Sequence, residues 1–261
     1  MNDCNGALHR WSVGWSPSPR ATVRLYCLPY SGTGGVIYRS WVQALAPDID
    51  VCPIELPGRW SRLREPPFRS VDAVVAALGP VLEVDRPFGL FGCSFGGVVA
   101  FELCRWLRRQ GRPLPGQLLV AATRPPSLAR NTAMHRLAEN EFVQQVAEIY
   151  GPLPPAIIAA PDMRQLVLGV LRADLECVET YRHRREPPLD VPITVFGGRH
   201  DRSTSADKLE GWRSESTRAV AVHIFEDGEH LFLDSHRNEL LHHIRARLLG
   251  PSAVEAGREA S

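Results

Sequence analysis

Within Leu90-Phe91-Gly92-Cys93-Ser94-Phe95-Gly96-Gly97 lies a G-x-S-x-G pentapeptide whose middle residue is a serine. A short apolar run, 88–91, precedes it, and Val98, Phe101, Leu103, Trp106 and Leu107 follow it in an amphipathic pattern. A serine at the apex of a sharp strand-to-helix turn stands exposed beside a helix N-terminus, placed for nucleophilic attack. Gly92, Gly96 and Gly97 allow such a turn without side-chain clashes. The turn lifts out its middle position, so Ser94 rather than Cys93 is the candidate nucleophile. Alone, the pentapeptide also fits a tight turn with a capping serine; the flanking strand and helix select the nucleophile elbow.

A serine needs a base to become reactive, and the base needs a carboxylate to orient it. In elbow-type hydrolases the chain order is nucleophile, acid, histidine, with the last two on loops after late strands. Asp201 ends Gly197-Gly198-Arg199-His200-Asp201, directly after an apolar run at 192–196. His230 closes Glu226-Asp227-Gly228-Glu229-His230, directly after the run 221–225. His183, His200, His223, His242 and His243 have weaker claims, being within the central helical stretch, beside or within strands, or on the terminal helix. Asp174 falls inside that helical stretch, and Asp227 is too near His230 in sequence to reach its ring nitrogen easily. The Gly-rich segment Pro29-Tyr30-Ser31-Gly32-Thr33-Gly34-Gly35 lacks the lysine of a P-loop and the third glycine of a dinucleotide loop. It can instead offer backbone N–H groups to a developing oxyanion.

The elements that must position these groups alternate. Apolar runs at Val23–Leu28, 49–56, 88–91, 117–122, 192–196 and 221–225 read as strands. Helical patterns at 38–46, 71–84, after Ser94, at 206–212 and at 237–249 separate them. Such alternation predicts an α/β fold with a mostly parallel central sheet flanked by helices. From 134 to 184 only helical patterns occur, broken by Gly151-Pro152-Leu153-Pro154-Pro155, so a helical lid is expected at about 126–189. Caps of this kind cover a pocket and gate it. Residues 1–22, polar and Pro-containing with Trp11 and Trp15 as the bulky exceptions, read as a surface arm. Residues 23–250 read as a single domain and 251–261 as a disordered tail.

Composition excludes several classes. Thirty Lys and Arg balance 29 Asp and Glu for a net charge of +1, so no basic field recommends nucleic acid as a partner. No apolar run approaches the roughly 18 to 20 residues of a membrane span, and the first twenty residues lack the core of a signal peptide, so a cytoplasmic chain away from membranes is expected. Six scattered cysteines without C-x-x-C spacing read as free thiols. With neither paired cysteines nor H-E-x-x-H, no metal or cofactor is expected. The expected state is a monomer.

Several segments carry a resemblance. Leu28-Pro29-Tyr30-Ser31-Gly32, Leu56-Pro57-Gly58-Arg59, Arg62-Leu63-Arg64-Glu65-Pro66-Pro67, Gly92-Cys93-Ser94-Phe95-Gly96-Gly97 with Phe101-Glu102-Leu103, Leu171-Arg172-Ala173-Asp174 and Gly228-Glu229-His230 stand in this order. From about 23 to 249 the chain resembles the free-standing type II thioesterases of polyketide and nonribosomal-peptide assembly lines. The resemblance implies an α/β-hydrolase fold with a helical lid. It implies hydrolysis of acyl or aminoacyl groups from the phosphopantetheine arm of acyl or peptidyl carrier proteins, which frees stalled modules. It places the triad on Ser94, Asp201 and His230, and the oxyanion hole on the backbone N–H groups of Ser31 and Phe95. The chain departs from the family at Cys93 and Phe95, where His and Met are usual, and at Tyr30-Ser31, where His-Ala is usual. Backbone donors tolerate these changes, whereas the pocket wall is altered. A small-molecule carboxylesterase or lipase would use the same triad, and a non-catalytic hydrolase-fold binding protein would not need it.

Overall fold

The computed structural model describes residues 4–12, 14–128 and 132–250. The tail expected at 251–261 lies outside the described residues. Among them, strands β1 (Val23–Leu28), β2 (Ile49–Pro53), β3 (Phe88–Cys93), β4 (Gln117–Ala121), β5 (Ile193–Gly198) and β6 (Val220–Phe225) form one sheet. Its order is β2-β1-β3-β4-β5-β6, and every neighbouring pair is parallel. The helices are α1 (Cys4–His9), α2 (Arg39–Leu45), α3 (Val71–Leu78), α4 (Phe95–Arg109), α5 (Glu139–Tyr150), α6 (Pro155–Ala159), α7 (Pro161–Thr180), α8 (Ala206–Leu209) and α9 (Arg237–Leu249).

Strands β1 to β5 are buried along their whole length, which is why they read as near-continuous apolar runs rather than alternating ones. The two-residue period of a strand still sorts their side chains by face. Tyr26, Leu28, Leu90, Val120 and Val195 pack with α3 and α4 on one side. Leu25, Cys27, Phe91, Leu119 and Phe196 pack with α2 and α9 on the other. The result is three layers, with the carboxyl ends of the strands along one rim. The helical pattern at 71–84 is cut short: α3 stops at Leu78, and Gly79-Pro80 turns the chain through a single 3-10 turn.

The segment expected as a surface arm is packed into the domain instead. Leu8, Trp11 and Trp15 are buried with the α3 and α4 side of the core. The Trp15 indole N–H donates to Asp50 Oδ1 (2.9 Å), and Glu55 N donates to Trp11 O (2.7 Å). Ser12 also bridges to Ile54 in antiparallel fashion. Two indoles carry too much apolar area to be left in water when a sheet edge is at hand.

Between β4 and β5 the chain leaves the sheet to form α5, α6 and α7. These helices hold an apolar core of their own, including Phe142, Val146, Leu168, Leu171 and Leu175. The five described cysteines beyond Cys4, namely Cys27, Cys52, Cys93, Cys104 and Cys177, are free and buried. Among the described residues no helix is long and apolar enough to cross a membrane.

Candidate active site

Ser94 sits between β3 and α4 with φ +52° and ψ −110°, a backbone conformation uncommon for a residue with a side chain. Such conformations cost on the order of 1–3 kcal/mol and are held by their surroundings. Here the surroundings are close-packed backbone. A Cβ on Gly92 would lie 2.2 Å from Gly96 O, and one on Gly96 would lie 2.3 Å from Leu28 O. Glycine at these two positions therefore lets the elbow form and lets the start of α4 press against the end of β1. Ser94 N donates to Ala121 O (2.8 Å), and Thr123 Oγ1 donates to Ser94 O (3.1 Å), fixing the turn from the β4 side.

The loops after β5 and β6 bring Asp201 and His230 to Ser94. His230 Nε2 lies 3.1 Å from Ser94 Oγ, and His230 Nδ1 lies 2.8 Å from Asp201 Oδ2. These residues are 136 and 29 positions apart in the sequence. All three are buried. The other oxygen of Asp201 accepts from Ser203 N (2.8 Å), Ser203 Oγ (2.9 Å) and Thr204 N (3.0 Å). Burial pushes the Asp201 carboxyl up, but the bonds from His230 and Ser203 outweigh it and hold the group below its ordinary range. It is an anion facing an imidazole. Burial pushes the neighbouring Cys93 thiol well up, so it stays protonated and is no competitor as nucleophile.

The two expected oxyanion donors belong to segments in contact. Phe95 is the first residue of α4, where a helical N–H has no acceptor within the helix. Ser31 lies on the loop after β1 and lines the same cavity as Ser94 and His230. That loop is tied down on both sides. Thr33 Oγ1 donates to Tyr30 O (2.8 Å), and Gly32 N, at φ +79°, donates to Asp174 Oδ2 (2.8 Å).

Several further residues have roles that the sequence alone does not reveal. Asp174, weighed as a possible acid, is committed elsewhere. Arg59 Nη1 donates to Asp174 Oδ2 (2.7 Å) and Nη2 to Oδ1 (2.8 Å), a bidentate pair buried at both ends. Arg59 Nη1 also donates to Thr33 O (2.9 Å). One ion pair thus joins helix α7, the loop after β2 and the loop that carries Ser31. The other weighed acid, Asp227, meets His236 Nε2 at 2.7 Å on the surface. Tyr150, the last residue of α5, places its ring against the His230 imidazole, centroids 4.9 Å apart. Glu55 is fully buried against the same loop, where a Cβ on Gly34 would lie 2.3 Å from its Oε1. Burial, outweighing the nearby Arg59 and Arg62 guanidinium groups and the Gly35 amide, pushes the Glu55 carboxyl up to about 7. Only the motif segments containing Arg59 and Asp174 pointed to any of these.

Above Ser94 is a cavity of about 290 Å³, floored by Ser31, Ser94 and His230 and roofed by α5 to α7. It opens at the carboxyl end of β3, where parallel α/β sheets bind their ligands. Among the described residues no cluster of three or more His, Cys, Asp or Glu is arranged to hold a metal ion.

A nucleophile elbow under an apolar roof matches a known family: the Thioesterase domain model fits residues 23–248. The chain belongs to the thioesterase family. This thioesterase is 30% identical over 243 residues to Thioesterase PikA5 of Streptomyces venezuelae, which covers 92% of this chain and 85% of the relative. Its fold is similar to that of RedJ, the thioesterase of the prodiginine pathway in Streptomyces coelicolor. The TM-score is 0.81 at 33% identity, over 87% of this chain and 86% of that one. It is also similar to BorB, the type II thioesterase of the borrelidin cluster. There the TM-score is 0.80 at 30% identity, over 95% and 97% of the two chains. The thioesterase is a thioester hydrolase on an α/β-hydrolase fold, and the resemblance to type II thioesterases carried by its motifs is borne out.

Proposed function

We propose that this thioesterase releases acyl or aminoacyl groups from the phosphopantetheine arm of acyl or peptidyl carrier proteins, clearing stalled polyketide or nonribosomal-peptide synthases. Ser94, His230 and Asp201 act as its triad. The observation that carries the reading is the run from Asp201 Oδ2 through His230 to Ser94 Oγ, 2.8 and 3.1 Å, at the floor of an apolar cavity. RedJ, from the prodiginine pathway, and BorB, from the borrelidin cluster, support the setting.

In the first half-reaction His230 Nε2 takes the proton from Ser94 Oγ as the oxygen bonds to the thioester carbonyl carbon. Asp201 keeps the Nδ1 proton in place and stabilises the imidazolium. The N–H groups of Ser31 and Phe95 donate to the oxyanion. Collapse of the tetrahedral intermediate breaks the C–S bond, and the imidazolium returns its proton to the departing thiolate. A thiol of pKa about 8.5 leaves far more easily than an alcohol. In the second half-reaction His230 takes a proton from water, the hydroxide attacks the acyl ester, and Ser94 Oγ recovers the proton as the free acid departs. The insert at 126–189 acts as a lid, with Tyr150 shielding the imidazole from solvent between these steps.

The test compares release of one acyl group from a carrier protein with its release from a simple oxygen ester. The proposal expects the carrier-bound thioester to be the better substrate by kcat/KM. A strong preference for the ester would instead make the protein a small-molecule carboxylesterase.

A further inference from the structure

The hydroxyl of Ser203 lies among the groups that set up the triad, and its neighbours fix which way its bonds run. Ser203 Oγ is 2.9 Å from Asp201 Oδ1, 2.9 Å from His230 Nδ1 and 3.2 Å from Thr204 Oγ1. All four residues are buried. The turn that carries Ser203 is held from two sides. Ser203 N and Thr204 N donate to Asp201 Oδ1 (2.8 and 3.0 Å), and Arg124 Nη2, from the loop after β4, donates to Ser203 O (2.7 Å).

A hydroxyl has one proton to donate and two lone pairs with which to accept. Of the three neighbours, the Asp201 carboxylate can only accept, and a bond to an ionised acceptor is roughly twice as strong as one between neutral groups. The single proton of Ser203 therefore goes to Asp201 Oδ1. Towards Thr204 and His230 the same oxygen can then only accept. Asp201 Oδ2, 2.8 Å from Nδ1, can also only accept. Nδ1 thus faces two acceptors and, among the described residues, no donor, so it carries the imidazole proton. Nε2 keeps its lone pair towards Ser94 Oγ, 3.1 Å away, which is the form able to take the serine proton. The other tautomer would leave Nδ1 bare, and Ser203 could donate to it only by giving up its bond to Asp201. The other titratable neighbours leave this arrangement intact. The Tyr150 ring packs against the imidazole, and Cys93, beside Asp201, stays a neutral thiol.

We propose that Ser203 is a positioning residue of the hydrolysis, its hydroxyl bracing Asp201 and fixing the His230 tautomer so that both carboxylate oxygens, one directly and one through Ser203, hold the ring. The inference rests on the reading of Ser94, His230 and Asp201 as the triad.

The experiment measures kcat and KM on one acyl pantetheine thioester for the whole protein, for Ser203→Ala, for Asp201→Asn and for the double variant, each shown to be folded by thermal unfolding. Ser203→Ala removes the hydroxyl and keeps both backbone donors to Asp201. A hydrogen bond to a charged group is strong enough to change a rate by about 10- to 10²-fold, so kcat should fall by that factor while KM stays within about twofold. Once Asp201 is an amide the hydroxyl has no carboxylate to brace, so the double variant should lie within about threefold of Asp201→Asn. Nitrogen NMR of the neutral His230 ring should place the proton on Nδ1 in the parent and show a share of the Nε2–H form in Ser203→Ala. A Ser203→Ala enzyme with kcat within about twofold of the parent would overturn the inference. So would a double variant slower than Asp201→Asn by the full factor measured for Ser203→Ala, because a residue that only holds the fold together adds its loss to any other. If Asp201→Asn alone keeps more than about a tenth of the parental kcat, the triad reading falls and this inference with it. That result is distinct from an intact triad with a dispensable Ser203.

Discussion

Replacing Asp174 by Ala would leave the Arg59 guanidinium buried with only the carbonyls of Thr33 and Pro57 as acceptors. Breaking a buried pair from one side costs about 3–5 kcal/mol, because the remaining charge is uncompensated. For a domain of this size that is a fall in Tm of roughly 6–20 °C, at about 2–4 °C per kcal/mol. The same change removes the acceptor of Gly32 N and so loosens the loop that offers Ser31 N–H. Complete loss of one oxyanion donor costs about 10²–10³ in kcat; a loosened donor with Phe95 N–H still in place should cost about 10- to 10²-fold. The decisive variant is Arg59→Met with Asp174→Leu. With both charges gone, stability should return to within about 2 kcal/mol of the parent. The kcat should not return, because leucine offers Gly32 no acceptor. Thermal unfolding and steady-state kinetics on one acyl thioester give both readouts. A double variant that recovers kcat along with Tm would show that the pair only holds the fold together, and an Asp174→Ala protein melting within 2 °C of the parent would refute the energetic argument itself.

Asp201→Asn should lower kcat by about 10⁴-fold with little change in KM, since an amide at that position favours the wrong imidazole tautomer; a loss under tenfold would move the role to another acid. Glu55 makes a prediction about pH. Its carboxyl goes from 4.5 in the unfolded chain to about 7 when folded. Between those values the folded state holds a proton that the unfolded state has lost, so stability falls as pH rises through this window. Above pH 7 the full penalty applies, about 3 kcal/mol at 1.4 kcal/mol per pKa unit. Glu55→Gln should therefore raise Tm at pH 8 by roughly 6–12 °C and leave it nearly unchanged at pH 4. Equal shifts at both pH values would contradict this account.

The parts of the site set by local sterics were legible in the sequence. The elbow needs glycine where backbone meets backbone, and Gly92 and Gly96 announce it. Asp201 and His230 were legible because the fold orders them along the chain, each on the first loop after a strand, β5 and β6. What depends on distant partners was not. Arg59 and Asp174 are 115 positions apart, and nothing in either neighbourhood names the other. Ser203 is one serine among many until the turn after Asp201 folds its hydroxyl and N–H onto the carboxylate. The N-terminal segment was misread because its indoles are spaced among polar residues without a helical or strand period. Only the folded β2 edge of the sheet shows where Trp11 and Trp15 pack.

The central claim is that the acyl group passes through an ester on Ser94. It is tested most directly by rapid quenching of the enzyme with an acyl-carrier protein, followed by peptide mass spectrometry. The account predicts a transient acyl adduct on the peptide containing Ser94, longer-lived in Asp201→Asn and absent, with turnover, in Ser94→Ala. Continued hydrolysis by the Ser94→Ala protein, with no adduct at any time in the parent, would contradict it.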